Sequence, residues 1–199
     1  TFFRYLENRT ETARRKTIHL PTPRFEVFLG STLEELDAHV ASMVEDCDFF
    51  IADTPGRDDM FARHLAVTAD TLITPMNDSF IDFDLIGQVD PENFKVTRPS
   101  FYSELIWDTR KVRAKNEGRQ IDWIVLRNRL QHIEANNMRR VGEALQQLSR
   151  RVGFRVIPGL GERVIYRELF PAGLTLLDKA HLGGMGMGHV VARQELREA

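Results

Sequence analysis

The sequence contains little cysteine and no long hydrophobic run, and each shortage excludes a class of protein. Cys47 is the single cysteine among 199 residues, so no disulfide can form within the chain. Apolar runs such as 49–52 and 123–126 are far shorter than the ~20 residues that cross a bilayer. We therefore expect no membrane span, and a cytoplasmic location, since chains without disulfides are typical of reducing compartments.

Histidine is too scattered to indicate a zinc centre. No histidine stands in an HExxH motif or in another paired spacing that is typical of zinc ligands. The six histidines are His19, His39, His64, His132, His181 and His189. We therefore expect no zinc site.

The residues that are present predict a globular domain with an uneven charge distribution. Hydrophobic residues make up 42% of the chain and charged residues 28%, while the formal net charge is −2. Residues 110–155 nevertheless carry twelve Lys and Arg against four Asp and Glu, a balance of +8. Such a segment is either a binding face for a polyanion or a solvated surface, and composition leaves both open.

Two arginine pairs in this basic segment could serve the polyanion hypothesis, although a solvated surface explains them equally well. Arg139–Arg140 and Arg150–Arg151 are eleven residues apart, about three turns of a helix, and so lie near one face. Arg127 and Arg129 flank Asn128 shortly before them. Contacts from such arginines to phosphates would give salt-sensitive DNA binding without sequence preference.

The apolar pattern predicts an α/β fold. Short apolar segments without alternation predict buried strands over 49–52, 71–75, 121–126 and 154–157. The strands are separated by helical patterns over 2–15, 33–44, 61–66, 79–87 and 134–151. The helix over 79–87 is followed by a long connection through residue 107. Strands separated by helices indicate right-handed crossovers. We therefore predict a doubly wound, mainly parallel sheet with helices on both faces, where ligands bind beyond the carboxyl ends of the strands.

One predicted strand end, Asp53-Thr54-Pro55-Gly56, has the residue types of a nucleotide site. An acidic residue at the tip of a buried strand can hold Mg²⁺, as the Walker B aspartate does in P-loop NTPases. The backbone N–H of a glycine three residues later can approach a γ-phosphate. An ordinary Pro-Gly turn after a strand has the same composition, so the tetrapeptide alone leaves both interpretations open.

A P-loop NTPase also needs a glycine-rich loop that ends in Lys followed by Ser or Thr. None of the five lysines follows a glycine: Lys16, Lys95, Lys111, Lys115 and Lys179. In this fold class the loop follows the first strand. Either the chain is not a nucleotide enzyme, or the loop precedes Thr1.

Longer stretches of the chain resemble a known family. The chain is similar to the MipZ family, division-plane-positioning ATPases of the ParA/MinD group of deviant P-loop ATPases. The likeness runs through 7–9, 47–56, 74–80, 89–91, 122–130, 151–155, 163–171 and 192–197. It implies a fold of the P-loop NTPase type whose first strand and P-loop are missing here. On this basis residues 1–199 are a single ATPase domain, incomplete at the N-terminus and at the C-terminus, and we expect this fragment to be inactive.

The resemblance also implies roles for individual residues. Asp53 would be the catalytic carboxylate that holds Mg²⁺ through water, and Thr54, Pro55 and Gly56 would form switch II. Asn128 would hydrogen-bond adenine, with Arg127 beside it and Pro158 lining the base pocket. The DNA-binding residues would be Arg129, Arg139 and Arg140. Asn136 and Gly161 stand where the family pattern has basic residues, and so they alter the expected DNA face.

The same resemblance implies cofactors and partners. ATP and Mg²⁺ would be the cofactors of the full-length protein, which would form a homodimer when ATP is bound. The dimer would bind DNA without sequence preference, associate with the nucleoid and inhibit FtsZ assembly, whereas the monomer would be recruited by ParB. Two alternatives are a ParA-type partition ATPase and a non-catalytic module that binds DNA or a partner.

Overall fold

The computed structural model describes residues 2–56, 59–130, 135–178 and 187–198. The chain divides into two compact units, the first comprising 1–65 and 164–184 and the second 66–163 and 185–199. In chain order the elements are α1 (Phe2–Lys16), α2 (Leu33–Val44), α3 (Met60–Thr68), β1 (Thr71–Asn77), α4 (Phe80–Phe83), β2 (Gly87–Val89), β3 (Val96–Pro99), α5 (Phe101–Glu117), β4 (Asp122–Asn128), α6 (Ala135–Val152), β5 (Arg155–Ile157), α7 (Val164–Leu169) and α8 (Met187–Glu198). None of the helices in these ranges has the length and hydrophobicity that a membrane crossing requires.

A parallel sheet forms the centre of the second unit. Its strand order is β1-β4-β5, and β1 pairs with β4 over seven residues, from Thr71 opposite Asp122 to Asn77 opposite Asn128. β5 pairs with the other edge of β4. The predicted strands 71–75, 121–126 and 154–157 are confirmed, as is the α/β class with a parallel sheet flanked by helices.

The core of this unit forms between the sheet and α6. The buried side of α6 consists of residues at helical spacing: Val141, Ala144, Leu145, Leu148 and Val152. On the sheet, Trp123 and Phe154 are buried with their ring centroids 5.1 Å apart in an edge-to-face arrangement. The Trp123 indole N–H donates to the Thr74 hydroxyl at 3.0 Å, so this polar group is satisfied within the core. The predicted helix 134–151 is confirmed from Ala135 onwards, and Glu134 lies outside the described residues.

The predicted strand over 49–52 is wrong in this structure. The segment has no regular secondary structure and pairs with no described strand. Phe49 is 87% exposed and Ile51 76% exposed, so neither side chain packs into a core. An apolar run becomes a strand only when a neighbouring strand accepts its hydrogen bonds.

The region from 79 to 107 also differs from the prediction. The helix expected over 79–87 is limited to α4, after which Leu85 N and Ile86 N donate to carbonyls three residues earlier, as in turns. The Ile86 carbonyl accepts hydrogen bonds from Ser100 N and Ser103 Oγ. β2 and β3 then form an antiparallel hairpin, and α5 begins at Phe101 with Ser100 as its N-cap. The predicted long connection is therefore wrong.

The first unit contains a buried ion pair. Arg9 on α1 donates two hydrogen bonds of 2.8 Å to the Asp178 carboxylate, and the two side chains are 7% and 8% exposed. Arg9 also donates to the carbonyl oxygens of Pro21 and Gly173, each at 2.9 Å. The Arg9 guanidinium is the main cause that lowers the pKa of Asp178 to about 2, against an opposing contribution from burial. One side chain thus joins three segments that are distant in sequence.

We predict that Asp178→Asn destabilises the protein by roughly 3–5 kcal/mol, because the substitution leaves the buried Arg9 charge without its partner. The folded pKa of Asp178 lies below the ~3.9 of an unfolded aspartate. Its stabilisation is therefore present above pH ~4 and is lost as the pH falls towards ~2. Urea unfolding between pH 2 and pH 7 should show that the free energy of unfolding falls less at acid pH in the variant than in the wild type. Glu11→Gln, which removes an exposed ion pair on α1, is the matched control. An equal loss of stability in both variants would contradict the special contribution of the buried pair.

Candidate functional site

An arginine at the end of β4 joins three elements of the second unit. Because Asn77 and Asn128 are paired in register, Asp78 follows β1 beside the end of β4. Arg127 donates from Nε to Asp78 Oδ1 at 2.9 Å, also donates to this carboxylate through Nη2, and donates to the Met138 carbonyl of α6 at 2.8 Å. Both charged side chains are largely buried. A Cβ at Gly142 would lie 3.2 Å from this guanidinium, so glycine makes room for it on α6.

The loops that follow β4 and β5 are held together by backbone hydrogen bonds. Leu160 N donates to the Arg127 carbonyl at 2.9 Å, Leu130 N to Leu160 at 3.0 Å, and Glu162 N to Leu130 at 3.0 Å. These bonds continue the parallel pairing beyond the two strands, and Leu130 and Gly161 form an isolated parallel bridge. Residues 127–130 and 158–162 therefore form one hydrogen-bonded edge at the carboxyl ends of the strands.

Asn128 presents an unused hydrogen-bonding group at this edge. Its side chain is half-buried, and Oδ1 accepts from Arg129 N at 2.9 Å. Within the described residues Nδ2 has no acceptor, and Oδ1 retains a second lone pair. A carboxamide with one donor and one acceptor available matches the N7 and N6 groups of adenine. Arg129 has φ +53, a conformation that is uncommon for residues other than glycine.

The predicted base-site residues therefore have different environments. Asn128 is available to a ligand, and Pro158 is exposed on the adjoining loop. The Arg127 guanidinium is committed to Asp78 and Met138, so within the structure Arg127 supports the edge. Sequence reasoning missed Asp78 as a site residue. Its position three residues after the predicted strand 71–75 was the available signal.

The predicted metal and switch residues 53–56 belong to the first unit and are exposed. No described residue donates a hydrogen bond to the Asp53 carboxylate, and the structure places no group of three potential metal ligands among the described side chains. One free carboxylate fits Mg²⁺, which binds one or two carboxylates together with phosphate oxygens and water. A Cβ at Gly56 would meet no atom within 4 Å, so packing does not require glycine there.

The predicted DNA-binding arginines are exposed but not all free of interactions. Arg139 donates to Glu143 at 2.6 Å, one turn later on α6. The Arg140 guanidinium lies 4.5 Å from the ring centroid of Phe94, which has φ +59 in the turn of the β2–β3 hairpin. Both contacts orient the arginines while their side chains remain at the surface. Sequence reasoning missed Phe94, because its contact with α6 depends on the hairpin.

The fold is that of an α/β protein with a parallel sheet and a candidate ligand site at its carboxyl edge, the class that includes the P-loop NTPases. In a comparison with protein families, the MipZ family, described as ATPase MipZ, matches residues 1–199. The chain therefore belongs to the MipZ family, ParA/MinD-like ATPases that act in the regulation of cell division. A comparison with curated proteins finds no significant match. The family assignment made from sequence motifs is confirmed.

We predict that Gly159→Ala destabilises the protein by about 1–3 kcal/mol, because a Cβ there would lie 2.8 Å from the Arg127 carbonyl oxygen. The clash would separate the two strand-end loops. Urea denaturation of the variant should therefore give a lower midpoint. Gly56→Ala, where an added Cβ meets nothing within 4 Å, should leave the midpoint unchanged. Equal midpoints for Gly159→Ala and the wild type would mean that the loops are not in close contact.

Proposed function

We propose that the protein is an ATP-switched, DNA-associated regulator of cell division that inhibits FtsZ assembly away from the division plane. The family match supports an ATPase of this kind. The observation that carries the nucleotide part is the half-buried Asn128 carboxamide, whose Nδ2 has no acceptor among the described residues, at a strand end held by backbone hydrogen bonds. This is the position at which α/β proteins bind nucleotides.

In this proposal each base-site residue has a separate task. Asn128 hydrogen-bonds the edge of adenine, and Pro158 lines the pocket on the adjoining loop. Arg127 positions Asn128, since its ion pair with Asp78 holds the end of β4 against the end of β1. The backbone hydrogen bonds between the two loops would lower the conformational cost of binding, because they hold the loops together before the base arrives.

Asp53 is proposed to hold Mg²⁺ through water, with Thr54, Pro55 and Gly56 as the switch II segment. Mg²⁺ bound beside the phosphates neutralises charge that develops during phosphoryl transfer. The exposed carboxylate of Asp53 fits this role. Since neither packing nor a positive φ requires glycine at position 56, close approach of the backbone to a phosphate is a sufficient reason for it.

The phosphate-binding loop is proposed to come from residues outside this sequence. No lysine of the chain follows a glycine, and in the described residues β1 has no strand on the edge opposite β4. An additional parallel strand on that edge would satisfy the free backbone groups of β1. On this proposal, residues 1–199 by themselves neither bind ATP tightly nor hydrolyse it.

The proposed switch is a population shift between monomer and dimer. ATP would favour a homodimer that binds DNA and FtsZ, and hydrolysis would return the monomer that ParB recruits. Arg129, Arg139 and Arg140 are proposed to contact DNA phosphates. The exposed arginines on α6 support this assignment.

We predict that Asp53→Ala, in the intact protein that carries this chain together with its P-loop, lowers the ATP hydrolysis rate by about 100-fold or more. The reason is the loss of the carboxylate that holds Mg²⁺. Phosphate release at saturating ATP measures the rate. Asp46→Ala, which removes a nearby exposed carboxylate outside the motif, should leave the rate unchanged. Wild-type hydrolysis by Asp53→Ala would remove Asp53 from the proposed site.

We predict that Arg139→Ala combined with Arg140→Ala weakens DNA binding at low salt and leaves ATP-dependent dimerisation intact. Each lost phosphate contact should reduce the slope of log affinity against log salt by about 1. Glu143→Gln should instead strengthen DNA binding, because it removes the carboxylate that pairs with Arg139. Fluorescence anisotropy with duplex DNA at several salt concentrations measures both effects. Unchanged DNA affinity in the double variant would reject the assignment.

A further inference from the structure

A carboxylate on α8 contacts the loop that forms one side of the proposed base site. Glu195 accepts from Arg163 Nε at 2.9 Å and from Gly161 N at 3.3 Å through Oε2, and Oε1 accepts from Arg163 Nη2. The Arg163 and Glu195 side chains are only 23% and 22% exposed. Glu195 therefore holds both a backbone N–H and a charged side chain of the segment that follows β5.

This contact leads directly to Asn128. Gly161, which donates to Glu195, forms the parallel bridge with Leu130, and the neighbouring Glu162 N donates to the Leu130 carbonyl. Leu130 is two residues beyond Asn128 on the same strand-end loop. A displacement of residues 160–162 would therefore change the distance between Asn128 and the loop that carries Pro158.

The local sequence suits this contact. A Cβ at Gly161 would lie 3.2–3.3 Å from the Glu195 carboxylate oxygens, so glycine lets the carboxylate approach the backbone closely. Ala192 is fully buried one turn before Glu195 on α8. Both residues therefore lie on the buried side of this helix. Glycine at position 161 therefore lets the Glu195 side of α8 lie close to the loop.

We propose that Glu195 is a positioning residue for the nucleobase, because its hydrogen bonds hold Gly161 and Arg163 in place. The inference rests on the proposed function, since it assumes that Asn128 and Pro158 receive a base. Glu195 itself would not contact the nucleotide and would act through the loop. It sets the width of the base subsite, so the loss of Glu195 should weaken recognition of the nucleoside and leave recognition of the phosphates unchanged.

The test compares two ligands that share the phosphates and differ in the base. Calorimetric titration of the intact protein with MgATP and with magnesium tripolyphosphate gives a base preference for each variant. We expect Glu195→Gln to raise the Kd for ATP by roughly five- to tenfold, because a neutral amide forms weaker hydrogen bonds with Arg163. The Kd for tripolyphosphate should not change. In hydrolysis assays KM should rise while kcat stays constant.

Two further variants control for a general structural effect. Glu198→Gln changes an exposed carboxylate three residues later on α8 and should keep the wild-type base preference. Arg163→Lys keeps the positive charge and removes the two-pronged contact, so it should reproduce the selective loss of ATP affinity. Thermal unfolding, followed by circular dichroism, confirms that each variant is folded at the titration temperature.

The outcomes separate this inference from the proposed function. If the wild type prefers ATP over tripolyphosphate and both Glu195→Gln and Arg163→Lys retain that preference, the positioning role is overturned and the base site stands. If Glu195→Gln weakens both ligands equally, its role is merely structural, and the inference is again overturned. If the wild type itself shows no preference for ATP, the proposed base site fails, and the positioning role fails with it.

Discussion

The parallel pairing of β1 with β4 is the interaction on which the candidate site depends. Seven residues pair in register, so the two strands end together at Asn77 and Asn128. Only this register places Asp78 where it can neutralise Arg127. A shift by one residue would turn the Arg127 side chain to the opposite face of the sheet and leave a buried charge without a partner. Register, ion pair and strand-end geometry therefore stabilise one another.

The sequence predicted the three apolar segments that pair with one another in the parallel sheet, and the helix with a clear apolar side. It failed where secondary structure depends on a partner. Phe49 and Ile51 have the composition of a strand, yet they remain exposed, because hydrophobicity does not supply a neighbouring strand. Helix α5 was missed because two of its three buried residues, Ser103 and Arg113, are polar and hide the periodicity. Arg113 is nonetheless satisfied, since it donates to the Ala69 carbonyl at 2.7 Å.

The candidate site divides in the same way. Motif likeness predicted Asn128 as a base-binding residue, and in the structure its Nδ2 has no acceptor among the described residues. The partners of Arg127 and Arg163 could not be predicted, because Asp78 is 49 residues from Arg127 and Glu195 is 32 residues from Arg163. Ion pairs at such separations depend on the sheet register and on the docking of α8. The resulting site is an edge of backbone hydrogen bonds, supported by two largely buried ion pairs.

In the proposed mechanism the strand-end loops 127–130 and 158–162 receive the base of a nucleotide. Hydrogen exchange of the intact protein, measured by mass spectrometry with and without MgATP, reports on both loops separately. We expect slower exchange in both loops when ATP is bound, and a smaller change with tripolyphosphate, because the phosphates alone do not contact these loops. Bound ATP that leaves exchange in both loops unchanged would mean that the base does not bind there.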